Sequence, residues 1–117
     1  MAYTAAYKEE ELITDRVEMA DSFAKRFMGL MFRKSMPQNH ALLLRPCSAI
    51  HTFSMKFAID AVFLAKDGTV LHIEYAMQPN KPGKSVKKAD SVLELNTGTA
   101  EKLGIKTGDR LAFRNDY

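Results

Sequence analysis

The sequence predicts an α+β domain that is mainly β: a small antiparallel β-barrel or curled sheet with two short helices at its edges. Three observations carry that expectation. Period-two alternation recurs in several short segments, an Asp-Gly pair joins two apolar runs as in a hairpin, and only two stretches show helical signals. The strand–helix repeat that a doubly wound sheet needs is missing. With 117 residues the chain suits a single domain, its core spanning residues 12–113.

Residues 12–20, LITDRVEMA, alternate as a strand with Ile13, Val17 and Met19 on one side. Asp21 then reads as a helix N-cap, and Phe23, Phe27, Leu30 and Met31 recur at spacings of three and four, which lays one stripe along a short helix. Gly29 interrupts that helix near its end, and MPQN, residues 36–39, is a loop. HALLLRP reads as a buried strand ended by Pro46.

In CSAIHTFSMKFAID, residues 47–60, the odd positions Cys47, Ala49, His51, Phe53, Met55, Phe57 and Ile59 are expected on a dry sheet face. Ser48, Thr52, Ser54, Lys56 and Asp60 fall on the wetter one. The stretch is longer than a usual strand, so a bend is expected near Ala58. AVFLAKDGTVLHIEYAM, residues 61–77, is a β-hairpin turning at Lys66-Asp67-Gly68, where Asp-Gly supplies the positive φ of a tight turn. Residues 78–90 form a long loop, and VLEL, residues 92–95, is a strand whose alternation turns Glu94 outward. Asn96-Thr97-Gly98 starts a helix at Thr99, with Glu101 near its N-terminus where the macrodipole favours an acid. Gly104 ends it, Asp109 caps the Gly108 turn, and residues 110–114 are the last strand. Residues 1–11 and 114–117 are expected to be loose unless a strand docks them.

With 46% hydrophobic and 26% charged residues, the composition is that of a folded domain and excludes wholesale disorder. One cysteine cannot form an intramolecular disulfide, which fits a reducing compartment. MAYTAAYKEEELIT lacks the basic-then-apolar pattern of a secretory signal, and the longest fully apolar run, residues 61–65, is far short of a membrane span. A cytoplasmic location is therefore expected. The formal net charge is +3, with Lys81, Lys84, Lys87 and Lys88 concentrated in residues 80–88. Neither arginines nor stacking aromatics interleave them, so nucleic acid is not the expected partner.

Cys47, His51 and Met55 stand at four-residue steps. Four residues of strand advance about 13 Å, so the three cannot converge on one ion through bonds of about 2 Å, and neither metal nor cofactor is expected. The nucleophile-elbow, P-loop, H-E-x-x-H and C-x-x-C patterns are absent. Cys47 follows Arg45-Pro46 at an expected strand end and is the candidate reactive thiol, although free cysteine is more often a small buried hydrophobe. Asp60 is expected to be hydrogen-bonded at a turn or exposed at a rim.

Five ordered segments, MADSFAKRFMGLMFR, HTFSMKFAIDAVFLAKDG, the proline-bearing loop after Met77, VLELNTG and AEKLGIKTGDRL, resemble together the domain-of-unknown-function family 192. The resemblance implies a small β-rich fold with short helices, and it marks Gly29, Arg33, Met55, Asp60, Gly68, Glu94, Gly98, Gly108 and Asp109 as the positions to examine. The family's commoner aromatic-Met-Lys-Asn-Thr pattern is here Phe53-Ser54-Met55-Lys56-Phe57, so no role resting on the Asn-Thr pair carries over. LGIKTGD also resembles the closing element of cradle-loop and double-psi barrels, a likeness of topology only.

The function expected is a binding module for a small anionic ligand or a partner segment, held at a barrel-rim cleft. Its candidate ligand-binding residues are Arg33, His51, Met55, Asp60, Lys84 and Glu94, with Arg33 as a forked donor and the lysine loop supplying long-range attraction. Gly29, Gly68, Gly98, Gly108 and Asp109 are expected to shape turns. Two alternatives belong to other classes: a cysteine-dependent enzyme using Cys47 with His51, and a purely structural or partner-docking domain.

Overall fold

The computed structural model describes residues 3–114, apart from the side chain of Phe23. Its elements are β1 (Tyr3–Lys8), β2 (Glu11–Ala20), α1 (Phe23–Met28), β3 (His40–Leu44), β4 (Ala49–Ile50), β5 (Ile59–Leu64), β6 (Val70–Met77), β7 (Lys84–Ser85), β8 (Ser91–Asn96), α2 (Thr99–Lys102) and β9 (Leu111–Arg114). Seven strands make one sheet in the order β6-β5-β8-β3-β2-β1-β9, and β4 pairs with β7 in a two-stranded sheet.

Mainly β with two short helices is the architecture, as the patterning predicted, but two finer expectations are corrected. The sheet is mixed, because β2 and β3 run parallel, Arg16 opposite His40 through Ala20 opposite Leu44. A parallel pair needs a crossover, and residues 21–39 supply it, carrying α1 over one face. Nor does the sheet close into a barrel. Its end strands β6 and β9 do not pair with each other; the segments leading into them are tied by the isolated Thr69–Arg110 bridge and by hydrogen bonds such as Val70 N–H to the Asp109 carbonyl and Leu111 N–H to the Gly68 carbonyl.

Apolar residues cover both faces of the sheet. Ala41 and Leu43 of β3, Val62 and Leu64 of β5, and Leu93 and Leu95 of β8 pack on one side with Ala100 and Ile105. Leu42 and Leu44, Ile59, Ala61 and Phe63, and Val92 pack on the other with Leu30, Ile50 and Met55. The three central strands are thus dry on both sides, so alternation there separates two interiors rather than an interior from water.

Local signals held where the hydrogen-bonding partners are close in sequence. The β5–β6 hairpin forms as expected, with Gly68 at φ 92°. A side chain at Gly68 would also put its Cβ 2.1 Å from the Leu111 carbonyl oxygen, so glycine is required twice over. Gly98 and Gly108 also sit at positive φ, and Asp109 Oδ2 accepts from the Lys106 N–H at 2.8 Å, capping the turn. That backbone hydrogen bond, with help from Lys8, holds the Asp109 carboxyl below its usual range. At the N-terminus a strand does dock: β1 lies between β2 and β9. The expectations for residues 1–2 and 115–117 fall outside the described residues.

Two local expectations are overturned. The N-cap of α1 is Ser22, whose side chain accepts from the Lys25 N–H, rather than Asp21. The helix is only six residues long, so Leu30 and Met31 lie beyond it, and Phe27 is 61% exposed rather than part of a buried stripe. The larger correction is the extended strand over residues 47–59, which does not form. Only Ala49–Ile50 is strand, and residues 51–58 are irregular until β5 begins. Thr52 explains the break: its hydroxyl donates to the Gln78 carbonyl and accepts from the Lys81 N–H, and its own N–H donates to the Lys81 carbonyl. Its carbonyl accepts from the Asn80 and Met55 N–H groups. Every polar group of Thr52 is thus committed to residues 55 and 78–81, and the side chain is fully buried although alternation put it on the wet face. Phe53, expected on the dry face, is 48% exposed.

Candidate functional site

Glu94 sits in the middle of the sheet, on β8, with Leu42 of β3 opposite on one side and Ala61 of β5 on the other. It shares the face of Val92, the face the crossover covers, and is 3% exposed. The outward orientation expected from alternation is therefore wrong, because β8 has no wet face. Among the described residues, Glu94 Oε1 is the buried side-chain oxygen or nitrogen left without a hydrogen-bond partner. Burial pushes its carboxyl up to about 8, with the Arg33 guanidinium, the smaller influence, pulling the other way. At neutral pH Glu94 holds its proton and offers both a donor and an acceptor.

The crossover is shaped to leave room above this carboxyl. Gly29 ends α1 at φ 47°, ψ −123°, a conformation side chains disfavour, and a Cβ there would lie 3.9 Å from Oε1. Its N–H closes the helix onto the Lys25 carbonyl at 2.8 Å. A pocket of about 40 Å³ results, with Glu94 at its floor, Leu44, Ile50, Met31 and Met55 in its walls, and Arg26, Phe27 and His51 among its other lining residues. The two covering segments are joined across it by the Phe32 N–H donating to the Ser54 carbonyl at 2.9 Å.

His51 lies between two rings, stacked on Phe53 with centroids 5.4 Å apart and edge-on to Phe27 at 6.4 Å. Its Nδ1 accepts from the Phe53 N–H at 3.1 Å, which leaves the proton of the neutral ring on Nε2. Cys47 is half-buried against the same apolar layer, and its Sγ donates to the Ala49 carbonyl at 3.1 Å. Burial raises the thiol above its ordinary value, and Glu94 adds to this, while the Ala49 hydrogen bond and Arg26 oppose it.

Of the six expected ligand-binding residues, the structure brings His51, Met55 and Glu94 together. Arg33 is on the far side of Gly29, paired through Nη2 with Glu18 Oε2 at 2.8 Å. Asp60 belongs to the opposite face, 1% exposed, with Oδ1 accepting from the Ala76 N–H at 2.9 Å and Oδ2 from the Ala100 N–H at 3.1 Å. It pins a bulge of β6 and the start of α2, so the expected cleft between His51 and Asp60 does not exist. Lys84 is exposed on β7, its backbone opposite the pocket residue Ile50. Sequence reasoning missed Arg26, Phe27 and Ile50 as pocket residues, although the first two stand within the family-like segment at residues 19–33. Two wider grooves, of about 500 and 680 Å³, lie beside α2 and between α1 and β2. Neither contains the unpartnered carboxyl. Among the described residues no group of three His, Cys, Asp or Glu side chains is placed to hold a metal, and no helix is long and apolar enough to cross a membrane.

Fold and site define a small mixed-sheet domain with one crossover and a carboxyl-floored pocket beneath it. The chain belongs to the DUF192 family, described as an uncharacterised ACR, whose model matches residues 4–113. It is 33% identical over 102 residues to a UPF0127 protein of Pyrococcus furiosus, covering 83% of this chain and 85% of that one. A UPF0127 protein of Pyrococcus abyssi is 32% identical over 104 residues, covering 84% and 86%. Among solved structures, a Sinorhizobium meliloti 1021 protein described as a proposed transcription regulator superposes with a TM-score of 0.82 at 27% identity, over 97% of this chain and 96% of that one. A Novosphingobium aromaticivorans protein of unknown function gives 0.81 at 23% identity over 94% and 83%, a likeness of fold.

Proposed function

We propose that the domain is a binding module in which a small ligand, or a projecting group of a partner, places a hydrogen-bonding head on Glu94 and rests its remainder on the apolar rim. The observation that carries this is the orphaned Oε1. A buried polar atom without a partner costs about 1–3 kcal/mol, and native folds hold very few of them. An occupant that supplied the missing hydrogen bond would remove that penalty. The rim supports an anionic occupant: Arg26 lines the pocket, Arg33 is near enough to act on Glu94, and the chain carries a formal charge of +3. Phe27, Met28 and Phe53 are exposed around it.

A Cys47 nucleophile finds less support, since burial holds the thiol in its protonated form. The transcription-regulator description carried by the Sinorhizobium protein does not favour DNA reading by this chain either. Helices of six and four residues, about 9 and 6 Å long, are too short to serve as recognition helices.

Met28, Met31 and Met55 line the pocket and make the test direct. With the methionine methyls labelled with carbon-13, millimolar titration with small acids, amides and amines is expected to shift those three signals saturably. Met36 and Met77, buried in the same apolar layer but away from the pocket, should stay still. If no probe moves the three, the binding reading falls.

A further inference from the structure

We propose that the head group is the carboxylate of an apolar monoacid, received by Glu94 acting as a hydrogen-bond donor. This rests on the binding reading above and specifies its ligand. The pocket, at about 40 Å³, is about three times the roughly 10–15 Å³ of space that admits a single water. It holds a head of two or three heavy atoms, and the remainder of the ligand must lie outside. What lies outside is apolar: Phe27 and Phe53, 61% and 48% exposed, flanking His51.

The charged and titratable groups around the head decide its sign. From the crossover come Arg26, which lines the pocket, and Arg33, whose field reaches Glu94. The 47–55 segment contributes His51 and the neighbouring Cys47 thiol, and the strands flanking Glu94 contribute only Leu42 and Ala61. No second acid is among the lining residues. An ammonium head would meet one carboxyl, apolar walls and the Arg26 charge. That is a poor exchange for its hydration. A carboxylate meets donors instead, the Glu94 O–H and the Nε2–H of His51, whose Nδ1 is already occupied by the Phe53 N–H, while Arg26, with its Nη1 donating to the Asp21 carbonyl at 3.0 Å, adds positive charge beside the pocket. Burial supports this sign, since it keeps the proton on Glu94 up to about pH 8. The same logic keeps a buried acid neutral as a donor in other anion-binding sites.

The chemistry is shared by a free apolar acid and by a polypeptide C-terminus ending in an apolar residue. Four probes separate the cases: phenylacetate, phenethylamine, phenylacetamide and N-acetyl-alanyl-phenylalanine, each titrated against the methionine methyls of the full chain. At pH 7 phenylacetate should bind, and phenethylamine and phenylacetamide at least tenfold more weakly. Acid affinity should fall about tenfold per pH unit above pH 8, as Glu94 loses its proton and the two carboxylates repel. Glu94→Gln keeps an N–H donor, so it should retain acid binding and flatten the pH profile. Tighter binding of the dipeptide than of phenylacetate assigns the site to a C-terminus, and the reverse to a free acid. Amine or amide binding as tight as the acid, a wild-type affinity unchanged from pH 7 to 9.5, or loss of acid binding in Glu94→Gln would overturn the assignment while the binding reading stands. Unmoved methyls with all four probes would remove both.

Discussion

Asp60 and Glu94 are buried carboxyls on adjacent strands, one position out of register, and they face opposite sides of the sheet. On the Asp60 side both oxygens accept backbone N–H groups. On the Glu94 side one oxygen accepts nothing, and the neighbouring strands offer a leucine and an alanine. Burial alone therefore does not identify a site. The difference lies in whether the fold itself completes the hydrogen bonding: where it does, the acid acts as a structural pin, and where it does not, the acid is available to something else.

The sharpest way to break this contrast is to remove the pin. Asp60→Ala strips two hydrogen bonds and leaves the Ala76 and Ala100 N–H groups without their acceptor, so a loss of about 3 kcal/mol or more is expected. Urea unfolding at pH 7 measures it, and a loss below 1 kcal/mol would show that the pinned acid does no more for the fold than an orphan does. Glu94→Gln at the same pH should stabilise the chain.

The pH dependence of stability sharpens the comparison from the other side. Glu94 titrates at its ordinary 4.5 when unfolded and at about 8 when folded. Between those values the unfolded chain has released a proton that the native state keeps, so stability attributable to Glu94 is complete below pH 4.5 and is lost as the pH rises through about 8. The slope is on the order of 1 kcal/mol per pH unit. Subtracting the Glu94→Gln curve from the wild type isolates it from every other group. A difference that stayed flat from pH 5 to 8 would mean that Glu94 has a partner after all.

Much of this architecture could be read from the sequence, and the limits of that reading have physical causes. The β5–β6 hairpin, the strands at Glu11–Ala20 and His40–Leu44 and the Thr99 helix follow from neighbours in the chain. The break in the 47–59 stretch does not, because Thr52 takes partners from residues 78–81, and no local alternation encodes a contact at that separation. Glu94 was recognised as a candidate but placed facing water. Alternation says that side chains take opposite faces and is silent on whether either face is wet. Only the parallel β2–β3 pair, with its crossover laid over the sheet, reveals that both are dry. Phe27 reads as part of a helix stripe and Arg26 is not singled out, since nothing in a six-residue helix indicates that its far end will roof a pocket.

Cys47 gives a smaller effect. With its thiol raised by burial and its Sγ hydrogen-bonded to Ala49, iodoacetamide should alkylate the folded chain more slowly at pH 7.5 than it alkylates free cysteine. The rate should still be climbing above pH 9. A plateau reached below pH 8 would restore the nucleophile reading and give the pocket a chemical role in addition to recognition.

The smallest expected effect is the change in stability on removing Arg33, and it separates two roles for that residue. Its pairing with Glu18 is solvent-exposed on the arginine side, so Arg33→Ala should alter stability at pH 7 by less than about 1 kcal/mol. Its field on Glu94 acts through the dry interior, where screening is weak. Removing that positive charge takes away a pull that favours the ionised carboxyl, so Glu94 must titrate higher in Arg33→Ala than in the wild type. The Glu94-dependent loss of stability should then run to higher pH, and acid binding should survive to higher pH with it. If both stay in place while Glu18 alone responds, Arg33 serves only the surface pair, and the positive character of the pocket rests on Arg26.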